Sequence, residues 1–178
     1  MPMTAATTLD MTPAEQAWDA LALLTDPEIP VVTLRELGIL REVREGAQGL
    51  EVVITPTYNG CPAIQQIEDD VRAALAHAGI DAQVVTQLAP AWTTDWMTPA
   101  AHDKLRAYGI APPHACEAPA ASTDNVVHLR RRLTPAHVAC PQCGSANTTE
   151  TSHFGSTACK ALYRCLDCLE PFDYFKPH

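Results

Sequence analysis

Long apolar runs are absent from this 178-residue sequence. No stretch approaches the roughly 18 to 20 apolar residues of a membrane-spanning helix, so insertion in a membrane is not expected. The opening MPMTAATTLDMTPAEQ lacks the basic start and apolar stretch of a secretory signal, and a cytoplasmic location is the expectation. Basic charge is scarce as well. The net charge is -9; residues 1–110 carry six Lys+Arg against fifteen Asp+Glu, and residues 134–178 carry three against four. Only Arg130, Arg131 and Arg132 form a basic run. Neutralising phosphates supplies most of the affinity of nucleic-acid binders, so nucleic acid is not an expected partner. A Gly-rich phosphate loop is missing, as is a readable set of nucleophile, base and orienting acid, and no independent enzyme is evident. What remains, 47% hydrophobic and 19% charged residues, is the composition of a globular chain with a real core. Its length suits one full domain and a smaller one.

Cysteine is plentiful. Five of the seven fall in CPQCGSANTTETSHFGSTACKALYRCLDCLEPFDYF, from Cys140 to Phe175. In a reducing compartment, an odd count with two C-x2-C pairs points to metal or redox chemistry rather than to a disulfide framework. Cys140, Cys143, Cys165 and Cys168 have the pattern of a four-cysteine metal site, with twenty-one residues between the pairs. Two-residue spacing lets a tight turn aim both sulfurs at one ion, and Gly144 suits such a turn. A tail with few aliphatic side chains depends on its metal for folding, by on the order of 10 kcal/mol. Structural zinc with four thiolates and no open position is the plain reading, and a redox-active, rubredoxin-like iron site is the sharper one. Cys159 is surplus to a tetrahedral site, either a small buried hydrophobe or a reserve thiol. The roles of Cys159 and Cys116 stay open.

Ahead of the tail the chain reads as α+β. Thr12-Pro13-Ala14-Glu15 is a capping box that starts a helix running to about Leu24, where TDPEIP stops it. ILREVRE and LEVVITPT, joined by a turn at Gly46–Gly49, predict a hairpin. Ile64, Ile67, Val71 and Leu75 share a face of a helix over Ala63–Ala78, with Gly79 as its stop. The strand IDAQVVTQL and the helix TPAAHDKLRAYG complete the unit. The domain reading is therefore residues 12–112, a Pro/Ala-rich linker over 113–136, and a ribbon-like four-cysteine unit over 137–178.

Cys61 stands just before Pro62 and the second helix. Free backbone N–H groups and the positive end of the helix dipole at that position lower a thiol's pKa and favour thiolate. The alternative is a cysteine packed under the strand-to-helix turn. Asp26 and Glu28 in DPEIP are turn formers by default, or else carboxylates placed near a site. Trp92 and Trp96 read as core anchors, or, if exposed, as a docking surface.

In series, DPEIPVVTLRELGIL, VVITPTYNGCPAIQQIEDDV and APAWTTDWMTPAAHDKLRAYGI resemble the small metal-sulfur cluster assembly family, over about residues 12–112. With FGSTACKALYRC and EPFDYF added, nearly the whole chain resembles an accessory family, the D components of the phenylacetyl-CoA epoxidase system, a bacterial ring-epoxidising monooxygenase. The resemblance implies a small assembly-type domain of helices on a mixed sheet, joined to a zinc ribbon. It implies that Cys61 matches the family's reactive cysteine, and that Asp26, Glu28 and Thr57 line the same site. It also implies a transient iron-sulfur cluster or iron at Cys61. Expected partners are the other epoxidase subunits, above all the flavin and [2Fe-2S] reductase, together with general iron-sulfur assembly proteins; a homodimer is also compatible. Maturation of the complex is the function so implied, with an electron relay through the tail and a structural adaptor as its rivals.

Overall fold

A computed structural model describes residues 11–58, 60–114 and 137–177. Most of the linker reading, with Cys116 and Arg130–Arg132, lies outside the described residues, as does His178.

The first helix, α1 (Pro13–Leu21), begins as expected: Thr12 Oγ1 accepts from the Glu15 N–H and the Glu15 carboxylate accepts from the Thr12 N–H. It ends three residues short of the expected Leu24. Its last turn tightens instead, with Ala22 N–H bonded to Asp19 O and Leu24 N–H to Leu21 O, before the prolines are reached. The hairpin is β1 (Leu40–Gly46) and β2 (Gly49–Ile54), paired antiparallel. Gly49 has φ +119°, a conformation that costs glycine little at such a turn.

Helix α2 (Ile64–His77) crosses over and returns the chain to β3 (Ala82–Thr86), which pairs parallel with β2. The sheet order is therefore β1-β2-β3. Ile67, Val71 and Leu75 are the buried face of α2, at the spacing the sequence shows. A 3-10 turn (Thr94–Trp96) leads to α3 (Pro99–Tyr108), which Gly109 stops at φ +92°. Trp92 is a core anchor whose indole N–H donates to Leu37 O at 3.0 Å. Trp96 is half-buried, with the Arg41 guanidinium 3.4 Å from its ring centroid. Its backbone also lies against Gly38, at φ +72°, where a Cβ would come within 2.8 Å of Trp96 O.

The second sheet has the order β4-β7-β6-β5. Only its last strand, β7 (Pro171–Phe175), was legible in the sequence; β5 (Thr148–Ser152) is polar and mostly exposed, β6 (Lys160–Cys165) is short and half-buried, and neither carries a clean alternation. The fourth strand, β4 (Ile110–Ala111), directly follows α3 and pairs parallel with Asp173 and Tyr174 of β7. The first segment thus contributes a strand to the sheet of the tail. The tail returns the contact: Phe175, 1% exposed, belongs to the core of the first unit and lies 6.1 Å from the ring of Trp92.

Among the described residues, no helix is long and apolar enough to cross a membrane.

Candidate functional site

Two groups of cysteines stand out. In the ribbon, the turn Cys140–Gly144 closes through the Gly144 N–H to Cys140 O, with Gly144 at φ +74°. It faces the turn after β6, where the Cys168 N–H donates to Cys165 Sγ. All four sulfurs lie within 4.8 Å of one another, with Cys140 to Cys168 at 3.8 Å and Cys143 to Cys165 at 3.6 Å. A tetrahedral ion with metal–sulfur bonds of about 2.3 Å sets its sulfurs about 3.8 Å apart, so the four residues fit a metal ion. The Cys168 N–H also holds the Cys165 thiol down at about 7, so one ligand gives up its proton readily. His153, the one histidine between the two cysteine pairs, sits outside the cluster, 3.2 Å from Glu150.

The second group surrounds Cys61. It occupies the turn between β2 and α2, with its N–H bonded to Tyr58 O and its carbonyl accepting from Ile64 N–H. A small cavity, about 20 Å³, is lined by Cys61 together with Asp26, Glu28, Thr57, Tyr58, Cys159 and Phe175, among others. The structure thus brings Cys61, Asp26, Glu28 and Thr57 to one place from two stretches of chain. Asp26 does both things the sequence allowed. It is a turn former, its carboxylate accepting from the N–H groups of Glu28 (2.8 Å) and Ile29 (2.9 Å), and it faces the cavity while 8% exposed. Burial pushes its pKa up.

Of the two influences on Cys61, a helix start and burial, burial prevails. Burial pushes this thiol up, and the negative charges of Asp26 and Glu28 push in the same direction. The helix-start N–H groups of Ala63 and Ile64 do pull downward, as anticipated, but are outweighed. Alkylation follows the thiolate, so the rate at Cys61 should rise only above the pH range of an ordinary thiol. Asp26→Asn keeps the turn acceptor and removes a charge, which should move that rise to lower pH. Peptide-resolved alkylation across a pH series checks it; an unchanged midpoint would mean that Asp26 does not bear on Cys61.

Sequence reasoning missed Tyr58, Cys159 and Phe175 at this site. The only signal was that Cys159 is surplus to the ribbon's metal. Tyr58 lines the cavity beside Cys61 and Cys159, and burial pushes its phenol pKa up.

The stretches of chain that carry these cysteines match known families. Residues 14–86 match the family model of an iron-sulfur cluster assembly protein, and residues 124–176 match that of the PaaD zinc beta ribbon domain. Over 164 residues the chain is 50% identical to the Escherichia coli (strain K12) protein assigned as the D component of 1,2-phenylacetyl-CoA epoxidase, covering 90% of this chain and 91% of that one. The chain belongs to that D-component family. Cys61 and its turn fall inside the assembly-protein match, and the four ribbon cysteines inside the zinc-ribbon match. Two solved structures are similar to about half of the chain. A domain of unknown function from Bacillus anthracis is 26% identical, with a TM-score of 0.46, over 52% of this chain and 91% of that one. A conserved hypothetical protein from Thermotoga maritima is 26% identical, with a TM-score of 0.43, over 51% and 91%.

Proposed function

We propose that this D-component relative is a maturation factor of the phenylacetyl-CoA epoxidase system, acting in the cytoplasm to assist assembly or delivery of iron-sulfur units to the reductase of the complex. The observation that carries the reading is Cys61, set at the start of α2 beside two carboxylates, within the segment that matches iron-sulfur assembly proteins. In this reading Cys61 is the cargo-handling thiol, and Asp26, Glu28 and Thr57 shape its pocket. The division of labour follows the proposed domains: residues 12–112 handle the cargo, 113–136 link, and 137–178 recognise the partner. Zinc is the metal proposed for Cys140, Cys143, Cys165 and Cys168, since four thiolates leave no open position for chemistry and the segment matches a zinc ribbon. General iron-sulfur assembly proteins are proposed as upstream donors.

The test is made in cells. Cys61→Ala should leave the reductase expressed but short of cluster, with epoxidase turnover lowered by about tenfold or more, the scale on which losing an essential group acts. Unchanged cluster content and turnover would end the delivery reading and leave a structural adaptor. Purification without oxygen decides the relay alternative: iron at the four-cysteine site with a reversible one-electron couple would replace the zinc reading.

A further inference from the structure

The ribbon brings a second thiol to the cavity of Cys61. Cys159 lies on the segment Gly155–Lys160 ahead of β6, and it packs against the core of the first unit rather than that of the ribbon. We infer that Cys61 and Cys159 form one two-thiol site that takes a single thiophilic metal ion, of the ferrous iron class, at the seam between the two units. This rests on the reading of Cys61 proposed above and gives the ribbon a share in the cargo site.

Size is the first argument. A cavity of about 20 Å³ holds one water-sized occupant. A single ion fits there, whereas a cluster of two irons and two sulfides requires Gly155–Lys160 to withdraw. The second argument is construction. The Cys159 carbonyl accepts from Lys176 N–H at 2.9 Å, and Thr157 Oγ1 lies 3.0 Å from Cys159 Sγ. Gly155 N–H donates to Lys160 O at 2.8 Å, where a Cβ on Gly155 would press on Asp173 and Lys160 at 3.2 and 3.3 Å. The loop is therefore fixed in the position that presents this thiol.

Charge is the third. An unpaired ion in so closed a place is costly, and two thiolates neutralise a divalent one. Both thiols are free, and burial pushes both up, so the metal-free pair is protonated and each ligand must release its proton to solvent as the metal–sulfur bond forms. Two thiols and one divalent ion give one neutral dithiolate complex and two protons. Among the described residues only the four ribbon cysteines make a set of three or more ligand atoms within 4.8 Å, so Asp26 does not complete the pair. Since the ion itself fills the cavity, its remaining positions are reached only from the cavity's open side, by water, sulfide or a partner.

The full-length, zinc-loaded chain is dialysed without oxygen against ferrous iron at several pH values, with zinc measured alongside. Wild type and the control Cys116→Ala should bind one iron, more tightly as pH rises. Cys61→Ala and Cys159→Ala should each weaken binding by about tenfold or more, as losses around a metal site do. Should Cys159→Ala alone bind like wild type, the pair is wrong and the Cys61 reading stands; should Cys61→Ala alone do so, both are wrong. No iron on the wild type overturns the pair as well. A second measurement needs no substitution: phenylarsine oxide, which joins two nearby thiols and releases water, should link the peptides of Cys61 and Cys159 in wild type. Linkage of other thiols, or none, overturns the inference.

Discussion

Replacing Cys165 with alanine is expected to strip the ribbon of its metal, unfold residues 137–177 and open the pocket of Cys61. Cys165 is fully buried in the ribbon's small core, at the end of β6, and it accepts the Cys168 N–H. That core is only a few side chains, among them Val138, Ala161, Phe172 and Tyr174. Few apolar groups cannot offset the entropy of ordering some forty residues, so metal binding supplies the difference, on the order of 10 kcal/mol. Once the strands part, Cys159 and Phe175 leave the cavity they line. The burial that raised the Cys61 pKa is then relieved, and each unit of relief increases the thiolate fraction about tenfold at neutral pH. Metal analysis, amide hydrogen exchange and alkylation of Cys61 read the three consequences separately. A variant that keeps one metal per chain and a protected Cys61 would show that neither the fold of the ribbon nor the closure of the pocket depends on the ion.

Phe175→Ala should destabilise the first unit although the residue belongs to the tail. Its ring is 1% exposed within the core that contains Leu21, Leu37, Ile39 and Trp92. Deleting a buried aromatic ring costs about 3 to 5 kcal/mol, the lost transfer energy plus the cavity left behind. For a chain of this size that lowers the melting temperature on the order of 10 °C. The metal should remain bound, because Phe175 is not part of the ribbon's own core. Calorimetry with metal analysis tests this. A loss under about 1 kcal/mol, the range of surface substitutions, would mean that the ribbon rests on the first unit without sharing its core.

Both predictions depend on one feature, the exchange of strands and side chains between the two units. Strand β4 leaves the first unit to pair with β7, and β7 delivers Phe175 back. Lys160, buried in the same seam, stands 3.9 Å from Asp173 and attracts the carboxylate of Asp26. A buried cation between two acids from different units costs little only while both acids are in place, which ties the seat of the ribbon to the pocket of Cys61.

What is local in this protein could be read from the order of its residues. A capping box, an amphipathic period, a proline-rich stop and a two-residue cysteine spacing each act within a few residues, so α1, α2, α3, the hairpin and the two halves of the four-sulfur cluster were legible in the chain alone. Cys61 at a helix start was legible for the same reason. What crosses between the two units waited on how they dock. That Cys159 faces Cys61 across ninety-eight positions of chain, and that Phe175 fills the core of residues far from it in sequence, follows from a docking that no local pattern encodes. The direction of the Cys61 pKa turned on the same point. Helix-start N–H groups are a local influence and could be read from the position before α2, but desolvation depends on what covers the thiol, and the cover comes from the other end of the chain.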